Sequence, residues 1–476
     1  MHKTGDYTTR HHTPFPTSIM NTTICAQATP TGGAIGLVRV SGPQSIAIVD
    51  TLFKPLKGEP LSRRKGHTAT FGQITDEHGE CLDEVLATLF RAPHSYTGED
   101  GVEISCHGSA YIMRQLVQRL LDAGCCLAQP GEFTQRAFIN GKMDLSQAEA
   151  VADLIASDTA ANHRMAISQL KGHFSNKLRS LREELIHIAS MFELELDFSD
   201  HEDIQFADRS HLLQLAEQMT EHIGRLCQSF KLGNALKRGI PVAIIGKTNA
   251  GKSTLLNVLV GEERALVSDV DGTTRDTIEE HVVVDGTLLR FIDTAGIRHA
   301  TDQVERMGID RTFAKIEEAE VIIWLLDATQ AAAHYAELWP RLQPLVADKQ
   351  LIVVINKTDL LPPADLPTLP CPALYLSARH EQHIDSLRRT LSATLARLTD
   401  TAGPTDVIVS NERHYQALQQ ALASMHRVMD GLTAGLPTYL VAQDLRECIA
   451  HLGDILGEVT STDLLHNVFS HFCIGK

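Results

Sequence analysis

The chain has no CxxC pair and no Cys/His quartet at zinc-site spacing. Its nine cysteines, Cys25, Cys81, Cys106, Cys125, Cys126, Cys227, Cys371, Cys448 and Cys473, are scattered along 476 residues, which excludes a disulfide framework or a structural zinc module. The pattern fits a reducing compartment, with most thiols serving as small core residues. No apolar run is long enough to span a bilayer, and no basic amphipathic stretch marks a membrane-surface switch, so no membrane partner is expected. The first nineteen residues hold Lys3, Arg10 and three histidines but no apolar segment of signal-peptide type. A loose N-terminal extension and a cytoplasmic protein are therefore expected. Positive charge is also scarce. Lys and Arg number 43 against 59 Asp and Glu, a net charge of −16, which excludes wholesale coating of nucleic acid because that affinity comes from neutralising phosphates. A nucleic-acid partner must then be met by a local patch or through a second protein.

What is present is an ordinary globular balance, 43% hydrophobic and 21% charged, in a chain long enough for about three domains. Residues 1–20 read as the extension. Over 21–142, short apolar runs ("AIGLVRVSG", "EVLATLFRAP", "DGVEISCHG") alternate with Gly/Pro/Asp turns around the helix "AYIMRQLVQRLLDAG", which suggests a small α+β domain. From 143 to 237, apolar residues recur at three and four spacing, the signature of long helices. At 238–400 the strands "IPVAIIG", "LLRFIDTAG", "VIIWLLDAT", "QLIVVINKTD" and "PALYLSAR" alternate with helices, implying a doubly wound, mostly parallel sheet covered on both faces. Helical periodicity returns over 401–476. The multidomain α/β plus α order points to an α/β unit inserted into one discontinuous helical domain, although two separate helical domains would give the same string.

"GKTNAGKS", residues 246–253, is a complete GxxxxGK[ST] phosphate loop between the strand "PVAIIG" and the helix "STLLNVLVG". Gly246 and Gly251 let backbone N–H groups turn toward phosphate oxygens, Lys252 bridges the phosphates as a catalytic cation, and the Ser253 hydroxyl ligates Mg2+. Asn249, Ala250 and Thr254 complete the cradle. In "DTAG" (Asp293, Thr294, Ala295, Gly296), Asp293 stands behind the Mg2+ and the Gly296 N–H meets the γ-phosphate. "NKTD" (Asn356, Lys357, Thr358, Asp359) selects guanine. Asp359 accepts from N1–H and the amino group while Asn356 faces O6, and adenine would leave that carboxylate unpaired. "SAR" (Ser377, Ala378, Arg379) adds a backbone N–H to O6. Four motifs in this order resemble a GTP-hydrolysing domain of the Ras-like P-loop superfamily.

"SDVDGTTRD" reads as the first switch loop (Ser268, Asp269, Val270, Asp271, Gly272, Thr273, Thr274), with Thr274 as a further Mg2+ ligand. Many such proteins carry Gln after DTAG, whereas Ile297 here cannot hydrogen-bond to the attacking water, so another group must hold it. Asp302 and Glu305 are the carboxylates that follow. Glu305 is the candidate catalytic residue, and an exposed charge at a helix start is the plainer alternative. The Asn249 amide oxygen could coordinate a monovalent cation beside the phosphates, with Ser268, Val270 and Thr273 around it.

From about Thr23 to Lys476 the stretches "AQATPTGGAIGLVRVSG", "YTGEDGVEISCHG", "QPGEFTQRAFINGKMDLSQAEAVADLI", "DGTTRD", "DTAGIR" and "FCIGK" together resemble the tRNA modification GTPase MnmE (TrmE) family. The resemblance implies an N-terminal tetrahydrofolate-binding and dimerisation domain that takes 5,10-methylenetetrahydrofolate or 5-formyltetrahydrofolate. It also implies a homodimer, a heterotetramer with the FAD-dependent protein MnmG (GidA), and K+-dependent GTP hydrolysis. The hydrolysis is coupled to placing an aminomethyl or carboxymethylaminomethyl group on C5 of the wobble uridine of certain tRNAs. Carried over by position, the folate contacts are Arg39, Glu103, Lys142 and Lys476, Glu305 positions the water and Asn249 holds K+. Arg and Lys can pair with the glutamate carboxylates of folate, and a carboxylate can accept from pterin N–H groups. Without the family, each is a charged residue near a turn. One departure is visible: where the family commonly reads CHGG, Ser109 replaces the last glycine.

In the family the C-terminal tail returns toward the folate site, which brings Cys473 close behind Lys476. The terminal Lys476 does not fit a prenylation box. A chemical role for Cys473 needs a partly exposed thiol in an electropositive setting, and packing is the alternative. Cys106 beside His107 invites a nucleophile and base, but strand neighbours face opposite sides, so a structural role is expected. The competing class is a GTP-switched assembly factor such as Der or Era. Der-like proteins carry two G domains and Era ends in a basic RNA-binding domain, whereas this chain has one motif set and no basic cluster in its helical ending.

Overall fold

The computed structural model describes residues 21–197, 209–262, 280–292, 316–400, 407–458, 462–470 and 472–475. They gather into two compact units, one from residues 1–152 and 453–476 and the other from 153–452.

The first unit is built on a seven-stranded sheet, ordered β3-β4-β5-β6-β2-β1-β7. Its strands are β1 (Ile24–Gln27), β2 (Ile35–Ser41), β3 (Phe53–Pro55), β4 (Thr68–Thr75), β5 (Cys81–Phe90), β6 (Gly101–His107) and β7 (Cys126–Leu127). Only the β1–β7 pairing is parallel. Strand β5 shows why a sheet forms: Asp83, Val85, Ala87 and Leu89 are buried while their neighbours turn outward, the two-residue period of a sheet covered on one side. Val38, Val40, Val102 and Ile104 join that core under the helices Ser45–Leu52 and Ala110–Asp122, through Ile48, Val49, Met113 and Leu116. Ser45–Leu52 and Glu132–Ile139 are helices beyond the single one expected here, each of eight residues and too short for periodicity to declare itself. The alternation that buries Val38 and Val40 turns Arg39 to the opposite face.

The chain end belongs to this unit. Leu465, Phe469 and Phe472 bury against Leu145 and Ala148 in a small core of their own. Leu145 and Ala148 fall within the helical segment 143–237, so the apolar side of Thr462–Ser470 meets the start of that segment.

The second unit holds a six-stranded sheet, ordered β13-β12-β11-β8-β10-β9. It is formed by β8 (Ile240–Ile245), β9 (Glu280–Val284), β10 (Thr287–Phe291), β11 (Val321–Asp327), β12 (Gln350–Asn356) and β13 (Ala373–Tyr375). All pairings are parallel except the β9–β10 edge. Val242, Ile244, Ile323, Leu325 and Val354 face one core with Leu255, Leu387 and Leu391. Ala243, Ile245, Ile322, Trp324, Val353 and Ile355 face the other with Ala331 and Tyr335. Both faces are covered, which is why these strands read as unbroken apolar runs. The helices Arg209–Arg238 and Glu412–Thr433, from either side of this sheet in sequence, pack together. Phe230 stacks on Tyr415 with ring centroids 4.2 Å apart, and the Val409 N–H donates to Ser229 Oγ at 3.1 Å.

Candidate functional sites

Strand β8 lies between β10 and β11, at the point where strand order reverses and ligands bind beyond the carboxyl ends of such sheets. The loop that leaves it turns through positive φ at Gly246, Asn249 (+61°) and Gly251 (+98°). Asn is among the few side chains that tolerate this region. At Gly251 a Cβ would also stand 2.2 Å from Asn356 Nδ2, so glycine alone fits. Lys252 opens the helix Lys252–Glu262. Its ammonium donates to the carbonyls of Gly246 (2.7 Å) and Lys247 (2.8 Å), which holds the cation inside the loop. Ser253 follows in the first helical turn, where free N–H groups and the helix dipole favour phosphate. Lys247 in turn pairs with Glu337 at 2.7 Å.

Asn356, at the end of β12, is buried. Its Nδ2 donates to Ala250 O at 2.8 Å and its Oδ1 accepts from Ala378 N–H at 2.9 Å. Each end of the amide makes one bond inside the protein, so Asn356 ties the phosphate loop to the SAR loop and keeps a second N–H for a base. Asp359 is exposed. The Ser377 hydroxyl donates to its Oδ1 at 2.6 Å and holds the carboxyl below its ordinary pKa. The Ala378 N–H goes to Asn356 and the His380 N–H to Ser377 Oγ. Lys357, at φ +63°, reaches back to Asp327 Oδ2 at 2.7 Å. Burial pushes the Asp327 carboxyl up, but hydrogen bonds from Lys357 and Thr329 outweigh it and leave the group below its ordinary value. Thr358 N–H donates to Leu376 O at 3.3 Å, closing the loop.

Other expected residues lie outside the described residues: Ser268, Asp269, Val270, Asp271, Gly272, Thr273, Thr274, Asp293, Thr294, Ala295, Gly296, Ile297, Asp302, Glu305 and Lys476, with the extension 1–20.

In the first unit Arg39 of β2 is the cross-strand partner of Glu103 in β6. Arg39 Nε and Nη2 donate to the same Glu103 Oε1 at 2.9 and 2.8 Å. The guanidinium carbon lies 5.3 Å from the centre of the Tyr96 ring and 5.5 Å from that of Phe133, within cation–π range. Nη1 donates to the carbonyl of Gly475 at 3.2 Å, which ties Gly475 to this arginine. Gly475 has φ +93°, and a Cβ there would lie 2.3 Å from Gln27 O, a contact only glycine allows. Beside the pair is a cavity of about 100 Å³ lined by Arg39, Ser41, Ser95, Tyr96, Thr97 and Glu103.

Behind it, Arg136 is fully buried, with Nη1 3.1 Å from Glu99 Oε1, Nη2 2.9 Å from Glu132 Oε1 and a further bond to Thr22 O at 2.8 Å. Glu99 also accepts from Ser41 Oγ, and Ser41 Oγ lies 2.7 Å from Thr97 Oγ1. Arg136, Glu99, Tyr96 and Phe133 were missed in the sequence; they lie on a helix and a loop, outside every strand, so no pairing pattern points to them. Lys142 is exposed and donates to Pro93 O at 2.9 Å, so it is held at the rim of the loop that carries Tyr96. The Cys473 side chain is exposed. The Cys106 thiol donates to Gly36 O at 3.6 Å, and burial followed by the nearby Asp83 pushes it up to about 11. His107 instead turns outward, Nδ1 2.7 Å from Asp83, so the two share no reaction geometry.

Among the described residues no helix is long and apolar enough to cross a membrane, and no metal-holding cluster of His, Cys, Asp and Glu occurs. Two family descriptions match the chain, "GTP-binding protein TrmE N-terminus" over residues 23–142 and "MnmE helical domain" over residues 145–473. A protein of Parabacteroides distasonis named tRNA modification GTPase MnmE is 51% identical over 461 residues, covering 95% of this chain and 100% of its own length. Its namesake in Bacteroides fragilis is 53% identical over 95% of this chain and 99% of its own. A crystal structure of Era from Aquifex aeolicus is 29% identical, covering 39% of this chain and 66% of that one, with a TM-score of 0.26 that bears no weight on the fold.

Proposed function

The chain belongs to the MnmE family of tRNA modification GTPases and is a GTP-hydrolysing enzyme of tRNA modification, and from that premise we propose how its two sites divide the work. The second unit binds and hydrolyses GTP. Lys252 and the loop N–H groups hold the phosphates, Ser253 and Thr274 hold Mg2+, and Asp359 selects guanine. Asn249, with Ser268, Val270 and Thr273, holds K+, which supplies the positive charge that an arginine supplies elsewhere, and Glu305 orients the attacking water. This G domain, residues 238–400, is an insertion between the helical segments 143–237 and 401–476.

The first unit binds a tetrahydrofolate, which supplies the single carbon when bound. The observation that carries this reading is the Arg39–Glu103 pair. Arg39 Nε and Nη2 both meet Oε1, so Oε2 is left outside that pair as an acceptor for pterin N–H groups. Arg39 thereby orients Glu103, and Lys142 and Lys476 remain for the glutamate carboxylates. The chain works as a homodimer and joins an FAD-dependent partner to add an aminomethyl or carboxymethylaminomethyl group to C5 of the wobble uridine. Equilibrium dialysis of 5-formyltetrahydrofolate tests the site. Glu103→Gln should bind at least tenfold more weakly while GTP turnover in K+ is unchanged, and wild-type affinity in the variant would remove Glu103 from the site. Equal turnover in Na+ and K+ would remove the monovalent-ion role of Asn249.

A further inference from the structure

A chain of net charge −16 conceals one run of a single positive sign. From Thr159 to Arg182 there is no Asp or Glu, while Arg164, Lys171, Lys177, Arg179 and Arg182 all fall within it. The run forms the helix Ala160–Leu170 and the first turns of His173–Asp197. Ala161 and Met165 of the first helix pack against the core of the nucleotide-binding sheet, which turns His163 and Arg164 outward. Lys171, exposed, follows Arg164 by two helical turns, about 10 Å farther along the same side. Ser168 Oγ lies 3.0 Å from His173 Nδ1, which brings the start of the second helix beside that stripe. The second helix buries Phe174, Leu178, Leu181 and Leu185 and exposes Lys177 and Arg179. Burial and then the charges of Lys177 and Arg225 hold His222 below its ordinary pKa, which places the helix Arg209–Arg238 at the edge of the same surface. Glu184 and Glu221 mark its acidic border there, and Arg225 lies 3.9 Å from Glu221.

A charged helical face is usually solvated and mixes both signs at helical spacing. Here the run from Thr159 to Arg182 itself contains no acidic residue. No ion pair engages Arg164, Lys171 or Lys177 among the described residues. A lipid surface fits poorly, because a membrane-lying helix needs an apolar face to bury. Both helices spend theirs on the protein core, and no large hydrophobic side chain is exposed between Thr159 and Leu185. An outward neighbour is instead Asn176, whose amide N–H groups are donors of the kind that phosphate oxygens accept.

We infer that the face carrying Arg164, Lys171 and Lys177 docks the phosphate backbone of RNA, and, given the function proposed above, of the tRNA being modified. This local cation stripe gives the acidic chain a place to meet nucleic acid directly. It is backed by the nucleotide-binding layer, so RNA held there leans on the element that turns over GTP.

Fluorescence anisotropy of labelled tRNA with the full-length protein, from 50 to 200 mM KCl, reads the docking directly. Each phosphate contact contributes roughly 0.7 to 0.9 to the log–log salt slope. The R164A/K171A/K177A variant should therefore bind about tenfold or more weakly at low salt, with a slope smaller by about 2. Basal GTP turnover should stay at the wild-type rate, and K171R/K177R should bind as wild type does. The exposed Lys54→Ala on the other unit should change nothing. Unchanged affinity and slope in the triple variant overturn the inference. So does wild-type binding to phosphatidylserine vesicles, lost in the triple variant, when tRNA is not bound. If cells lacking the chain keep their modified wobble uridine, the functional premise falls separately. If they lose it while the triple variant binds tRNA normally, only the docking face falls.

Discussion

Replacing Asn356 by Ala removes one side chain that makes two buried hydrogen bonds, to the phosphate loop at 2.8 Å and to the SAR loop at 2.9 Å. It leaves the Ala250 carbonyl and the Ala378 N–H, both in buried residues, without their partner. An orphaned buried polar group costs about 1–3 kcal/mol, so the two together cost about 2–6 kcal/mol of loop alignment. Bound nucleotide needs both loops in register, so much of that cost appears in affinity. At about 1.4 kcal/mol per decade, a loss of about 2–4 kcal/mol weakens GDP binding roughly 30- to 1,000-fold. Asn356→Asp retains the acceptor for Ala378 but sets a carboxylate oxygen against the Ala250 carbonyl, and should be at least as damaging. Titration with a fluorescent GDP analogue measures both. A dissociation constant for Asn356→Ala within threefold of wild type would refute the strap.

Asp359→Asn should lose GTP and gain xanthosine triphosphate, since an amide can donate to the carbonyl that replaces the guanine amino group; turnover assays with both nucleotides read this, and retained GTP preference counts against the guanine assignment. Arg136→Met strips the partner from Glu99 and Glu132, and breaking a buried pair in this way costs about 3–5 kcal/mol. Calorimetry should show the first unit melting roughly 10 °C lower, and an unchanged melt would mean that the network adds little to stability. Brief maleimide treatment at pH 8 should label Cys81, Cys126 and Cys473, which are exposed. It should spare Cys106 and Cys448, whose burial pushes their thiols up to about 11 and about 12; labelling of Cys106 in mass spectra would contradict its buried setting.

The second unit was largely legible because its chemistry is local. The phosphate loop, NKTD and SAR are short segments whose glycines and polar ends are fixed by the strand just before them, and buried parallel strands announce themselves as apolar runs. The strap that Asn356 forms was not legible, because its partners lie 106 and 22 residues away. The short strand β9 also passed unseen. In the first unit, Arg39 and Glu103 are 64 residues apart and meet only through the register of β2 and β6. Arg136 is tied to residues 4, 37 and 114 positions away, and nothing in "TQRAF" shows that its arginine is buried. The basic run at Thr159–Arg182 was hidden by the net charge of the whole chain.

The most direct measurement is nucleoside mass spectrometry of bulk tRNA from cells lacking this gene, rescued with the wild-type chain or with Glu103→Gln. The account predicts that the C5-modified wobble uridine disappears in the deletion, returns with the wild-type chain and stays absent with the variant. Full restoration by Glu103→Gln would contradict the one-carbon site, and persistence of the modified uridine in the deletion would contradict the tRNA assignment itself.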